Sequence, residues 1–101
     1  MNKVIAQVTI VPLGTGSTSL SYYVAEVEKV LRKNKHIKSR LTPMSSILEG
    51  DFDEVLKVIK KMHEVPFSKG AQRVSTRISI DDRRDKEASM DKKVASVEEK
   101  M

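Results

Sequence analysis

Along Val4–Val11 the chain alternates. Val4, Ala6, Val8 and Ile10 line a wholly apolar face, and Ile5, Gln7, Thr9 and Val11 a mixed one. Period two in β-branched residues predicts a strand with its apolar face on a core. Pro12-Leu13-Gly14-Thr15-Gly16-Ser17-Thr18 is then a turn cluster. Leu20, Tyr23, Val24, Val27, Val30 and Leu31 recur at steps of three and four and predict a helix. Ser17, Thr18 or Ser19 is the expected N-cap. Ile37–Leu41 reads as a second strand and Met44–Glu49 as a third. Asp51 is placed to cap a second helix, with Glu54 three residues on, a stripe of Phe52, Val55, Leu56, Ile59 and Met62, and Pro66 as its end. Arg73–Ile80 reads as a fourth strand, with Val74, Thr76, Ile78 and Ile80 facing inward. A final helix over 87–101 carries only a thin stripe of Met90, Val94, Val97 and Met101.

The order β-α-β-β-α-β plus a C-terminal helix is the ferredoxin-like pattern of the α+β class. It predicts a four-stranded antiparallel sheet with two helices on one face. With 101 residues the chain suits one domain with one core. The open sheet face is expected to carry Gln7, Thr9, Lys38, Arg40, Thr42, Glu49, Arg73, Ser75, Arg77 and Ser79 beside Ile5, Val11 and Ile47. That mixture suits an interface between copies of the chain, so a homodimer or a dimer of dimers is expected.

Composition narrows the chemistry. The absence of cysteine removes disulfides and thiolate chemistry, and the two histidines, His36 and His63, are read as surface residues and not as a zinc site. No apolar run has the length of a membrane span, and the start of the chain lacks a signal-peptide core, so a cytoplasmic protein is expected. The net charge of +5 is dispersed among acidic residues. The strands carry no aromatic side chain on which bases can stack, which argues against a nucleic-acid partner.

The motifs for catalysis are incomplete. Gly14-Thr15-Gly16 precedes a helix and can hold an anion, but it lacks the lysine of a phosphate-binding P-loop and the third glycine of a dinucleotide fold; a turn explains it. Asp81-Asp82 is followed at once by Arg83-Arg84, which disfavours a metal. Ser45 and Ser46 have no neighbouring base in sequence. Between Thr42 and Gly50, small hydroxyls stand beside one carboxylate, Glu49. This suggests a pocket for a small polar ligand, without catalytic machinery or a cofactor.

Five segments carry a family resemblance: Pro12–Gly16, Ser21-Tyr22-Tyr23-Val24, Thr42-Pro43-Met44 with Glu49-Gly50, Arg73-Val74, and Ile80-Asp81-Asp82-Arg83-Arg84-Asp85-Lys86. In this order, from Val4 to about Val97, they resemble the small thiamine-binding protein family. The resemblance implies a ferredoxin-like subunit, assembly into dimers and often tetramers, and binding of thiamine or its hydroxymethylpyrimidine part without catalysis. The ligand-binding positions it implies are Leu13, Thr15, Tyr23, Thr42, Met44, Ser46, Glu49 and Arg73. In that setting Glu49 accepts from the pyrimidine or balances the cation, Thr42 and Ser46 bond ring nitrogens, Met44 packs on a ring face, and Tyr23 makes a cation–π contact. Relatives usually read Met-Gly-Thr where this chain has Met44-Ser45-Ser46. That departure motivates a competing expectation, an oligomeric regulatory module with a vestigial pocket.

Overall fold

The computed structural model describes residues 2–101. Its elements are β1 (Lys3–Leu13), α1 (Ser21–Arg32), β2 (Lys38–Leu41), β3 (Ser46–Asp51), α2 (Phe52–Ser68), β4 (Arg73–Asp81) and α3 (Met90–Glu98). The antiparallel sheet has the order β2-β3-β1-β4. This is the expected α+β, ferredoxin-like arrangement. Val4, Ala6 and Val8 of β1 and Leu48 of β3 meet Val27 and Leu31 of α1 and Val55, Val58, Ile59 and Met62 of α2 in the core.

Several local expectations are corrected, each for an identifiable reason. β3 starts at Ser46 because Thr42–Ser45 close a turn. The Thr42 hydroxyl donates to the Ser45 carbonyl at 2.9 Å and accepts the Ser45 N–H at 3.0 Å. Leu20, not a serine or threonine, occupies the N-cap of α1 and makes no side-chain cap. Thr15 and Ser17 instead use their hydroxyls within the loop: Thr15 donates to the Ser17 carbonyl, and Ser17 accepts the Ser19 N–H. Asp51 holds the expected cap position of α2 but makes no capping bond. Pro66 lies buried inside α2, whose end is closed two residues later by Lys69 and Ala71 N–H groups on the Pro66 carbonyl. Val58, not Leu56, completes the buried stripe, because Val55, Val58, Ile59 and Met62 hold the one-face spacing. On the edge strand β4, Ile78 and Ile80 stay exposed although they point to the helix side. His63 is half-buried, its Nδ1 2.7 Å from the Thr76 hydroxyl, and only His36 is the exposed histidine expected.

α3 runs over Met90–Glu98, shorter than 87–101, because Ser89 caps it by accepting the Lys92 N–H at 3.1 Å. Its first turn crosses the open sheet face. Glu49 of β3 accepts the Met90 N–H at 2.6 Å, Asp91 pairs with Lys38 and Arg40 of β2, and Lys93 reaches Asp81 of β4 at 2.7 Å. Register puts Lys38, Glu49, Ile5 and Asp81 in one row across the sheet, so the helix start is tied from edge to edge. Met90 is buried there, outside the main core. Beyond it Val94, Val97 and Met101 are exposed.

Hydrogen bonds from Lys38 and then Arg40 lower the Asp91 carboxyl below its ordinary range, and Asp91 raises Lys38. A depressed carboxylate contributes stability above its unfolded pKa, about 3.9, and loses it as pH falls through the folded value. The raised lysine contributes below its unfolded pKa, about 10.4, and loses its share as pH rises through the folded value. Between those limits α3 is held. Hydrogen exchange of the Val94–Glu98 amides is therefore expected to quicken as pH drops below about 4, after correction for intrinsic rates. Asp91→Asn is expected to bring the same loosening at neutral pH. Unchanged protection in that variant would show that Met90 and Glu49 hold the helix alone.

Candidate functional site

β1 is longer on one side than on the other. It pairs with β4 from Ile5 to Leu13, but with β3 only as far as Val8 opposite Ser46. Past that point the main chain of Thr9–Val11 has no ladder partner on the β3 side, and its polar groups there are open to a ligand. The gap forms a cavity of about 160 Å³. The β1 edge, Leu20, Val24 and Val27 of α1, and the Leu41–Ser46 hairpin enclose it, with Met62 of α2 at its base.

The decisive side chain in this cavity is Glu28, which no reading of the sequence had selected. It is only 6% exposed. Its Oε1 accepts the Ser46 hydroxyl at 3.1 Å, whereas Oε2 is buried with no hydrogen-bond partner. An unsatisfied buried polar atom typically costs about 1–3 kcal/mol, more when it is charged, so natural folds seldom leave one without a purpose. A signal existed in the sequence. Glu28 stands four residues after Val24 and three before Leu31, a carboxylate within an otherwise apolar stripe.

The predicted positions separate into three places. Thr42, Met44 and Ser46 line the cavity. Ser46 anchors Glu28, Thr42 closes the hairpin turn, and Met44 stands 84% exposed at the mouth. Leu13, Thr15, Tyr23 and Arg73 line a second, open concavity with Gly14, Lys69 and Gly70. Tyr23 is half-buried and outside the core, and its ring meets that of Tyr22 edge-on at 5.4 Å. Neighbouring residues of α1 line different hollows, Val24 the first and Tyr23 the second.

Glu49 belongs to neither hollow, and its grouping with Ser46 is corrected. Residues three apart on a strand point to opposite faces. Ser46 lies on the helix side opposite Val8, and Glu49 on the open side opposite Ile5. Glu49 is also 6% exposed, but its carboxylate is engaged by the start of α3 and by Lys3 at 3.5 Å. An anion at a helix N-terminus is favoured by the orphan N–H groups and the dipole there. Ser45 is accommodated: its hydroxyl accepts from the Gln7 side chain at 2.9 Å. Two ion pairs lie within the Asp81–Lys86 segment, whose Asp81 also holds Lys93. Arg84 binds Asp82, and Arg83 binds Asp85 and holds that carboxyl down at about 2.

No helix among the described residues is long and apolar enough to cross a membrane. The chain is 48% identical over 96 residues to the UPF0045 protein YqgV of Bacillus subtilis, covering 92% of each. It is 42% identical over 97 residues to a UPF0045 protein of Methanothermobacter thermautotrophicus, covering 95% of this chain and 97% of that one. Its fold superposes on the crystal structure of the hypothetical protein MJ1052 from Methanocaldococcus jannaschii with a TM-score of 0.88 at 38% identity, over 98% and 99% of the two chains. A candidate thiamine biosynthesis/salvage protein of Thermotoga maritima, TM0486, shares the fold alone, with a TM-score of 0.77 at 19% identity over 94% and 98%. None of these descriptions names a reaction. The family profile described as "Thiamine-binding protein" matches residues 6–98, a span that takes in the cavity, the hairpin and α3, and this chain therefore belongs to the thiamine-binding protein family.

Proposed function

We propose that this chain is a cytoplasmic homo-oligomer that binds thiamine, or its hydroxymethylpyrimidine part, without transforming it. The observation that carries the reading is the partnerless Oε2 of Glu28 in a cavity of about 160 Å³. A cavity of about 150 Å³ holds one benzene ring, so the size suits a single substituted pyrimidine. The exocyclic amino group of that ring donates a hydrogen bond, which Glu28 lacks. Ring nitrogens face the unpaired main chain of Thr9–Val11, and Met44 closes over the ring face. Ser46 and Thr42 act by holding Glu28 and the hairpin in place. The cationic thiazolium then lies outside the cavity toward Tyr23, a contact worth about 0.5–2 kcal/mol. Membership of the thiamine-binding family supports the ligand class.

Calorimetric titration of thiamine and of hydroxymethylpyrimidine into ligand-free protein tests the reading. Saturable heat from either is expected. Glu28→Gln is expected to weaken binding about 10- to 100-fold, the usual worth of a hydrogen bond to a charged group. The amide oxygen of that variant still accepts from Ser46, so its circular dichroism is expected to match the parent's. Glu49→Gln is expected to leave affinity in place while loosening α3. Silence from both ligands at millimolar concentration would overturn the proposal in favour of an interaction module.

Assembly rests on the half-covered sheet face and on α3. Ile5, Val11 and Ile47 are only partly buried there, and Val94, Val97 and Met101 stand in solvent. Sedimentation equilibrium is expected to give a mass of at least twice the 11.4 kDa chain. Ile47→Lys with Val97→Lys is expected to shift it to the monomer. A parent protein that sediments as a monomer at high concentration would exclude this part of the reading.

A further inference from the structure

The second concavity is basic. Its lining includes Lys69 and Arg73 but no aspartate or glutamate. On the sheet and its C-terminal extension Lys3, Lys38, Arg40, Arg83, Arg84 and Lys93 each face a carboxylate within 4.0 Å, while among the described residues Arg77, Lys86, Lys92 and Lys100 do not. Among the described residues Lys69 and Arg73 belong to no ion pair. A donor without charge stands beside them, Tyr23, whereas the Thr15 hydroxyl already donates to the Ser17 carbonyl. The main-chain N–H of Gly14 donates to no other backbone group among the described residues. Gly14 has φ +73, and a Cβ built there meets nothing within 4 Å, so its backbone is open to an incoming group.

We propose that this concavity is a phosphoryl-binding site, with Lys69 and Arg73 as its cationic partners and the Gly14–Thr15 turn as its backbone wall. A compact anion with several acceptor oxygens matches a guanidinium fork, an ammonium and loop N–H groups at once. The site does not require the cavity beside Glu28 to hold thiamine. Val24 lines the first hollow and its neighbour Tyr23 the second, so a heterocycle seated in the first would direct a phosphorylated tail toward the second.

The test uses inorganic diphosphate as the probe, titrated into the full isotopically labelled chain and followed by amide NMR. Saturable shifts at Gly14, Thr15, Gly70 and Arg73 are expected, with affinity falling as salt rises. Lys69→Gln with Arg73→Gln is expected to weaken binding by about tenfold or more. Lys60→Gln with Lys61→Gln on α2 removes the same charge and is expected to weaken it far less. No shift in the loop, or equal losses in the two double variants, overturns the site. A second arm compares thiamine with thiamine diphosphate. Tighter binding of the diphosphate, with the gain lost in the Lys69/Arg73 variant, assigns the anion to the ligand's own tail. Equal affinities, or no thiamine binding at all, with inorganic diphosphate still saturating the loop, assign the site to free phosphate.

Discussion

The constraint on which the rest depends is the mismatch between β1 and its neighbours. A strand of 11 residues lies between β3, with six, and β4, with nine. β4 follows β1 to its end, whereas β3 stops at Ser46 because a hydroxyl-closed turn takes over. Backbone polar groups in a folded protein are almost always paired. Here a central strand leaves one side without a ladder partner for several residues, beneath α1. The cavity is therefore a consequence of where a turn falls, and the turn falls there because Thr42 can bond both ways across four residues.

Two buried carboxylates show how the faces of one strand divide labour. Glu28 and Glu49 are equally hidden, yet their surroundings differ. Glu49 is satisfied by a helix start and a lysine, and its role is to fasten α3. Glu28 is half-satisfied, an acceptor kept dry without a donor, and this is what recommends it for the proposed binding role. The choice between them rests on parity. Ser46, which touches Glu28, and Glu49 lie an odd number of residues apart, so the sheet separates them.

Charge follows the same economy. The acidic and basic run after β4 neutralises itself over two-residue spacings, and α3 is moored through Asp91 and Lys93. These pairs are exposed and individually weak. Lys69 and Arg73 are among the cations these pairs leave unmatched, and they stand next to a glycine turn.

Periodicity alone determined the element order, the apolar face of β1 and the ferredoxin-like architecture, because periods of two and 3.6 are local properties of the chain. The family was legible in five short segments for the same reason. Glu28 was legible too, as a carboxylate on an apolar stripe, but its meaning depended on what lay opposite. The tertiary structure decided that Thr42, Met44 and Ser46 share a cavity, that Leu13, Thr15, Tyr23 and Arg73 share another hollow, and that Glu49 serves α3. Those groupings depend on register and on the length of β1 relative to β3, which are set by contacts between segments far apart in the chain, and no local pattern encodes them.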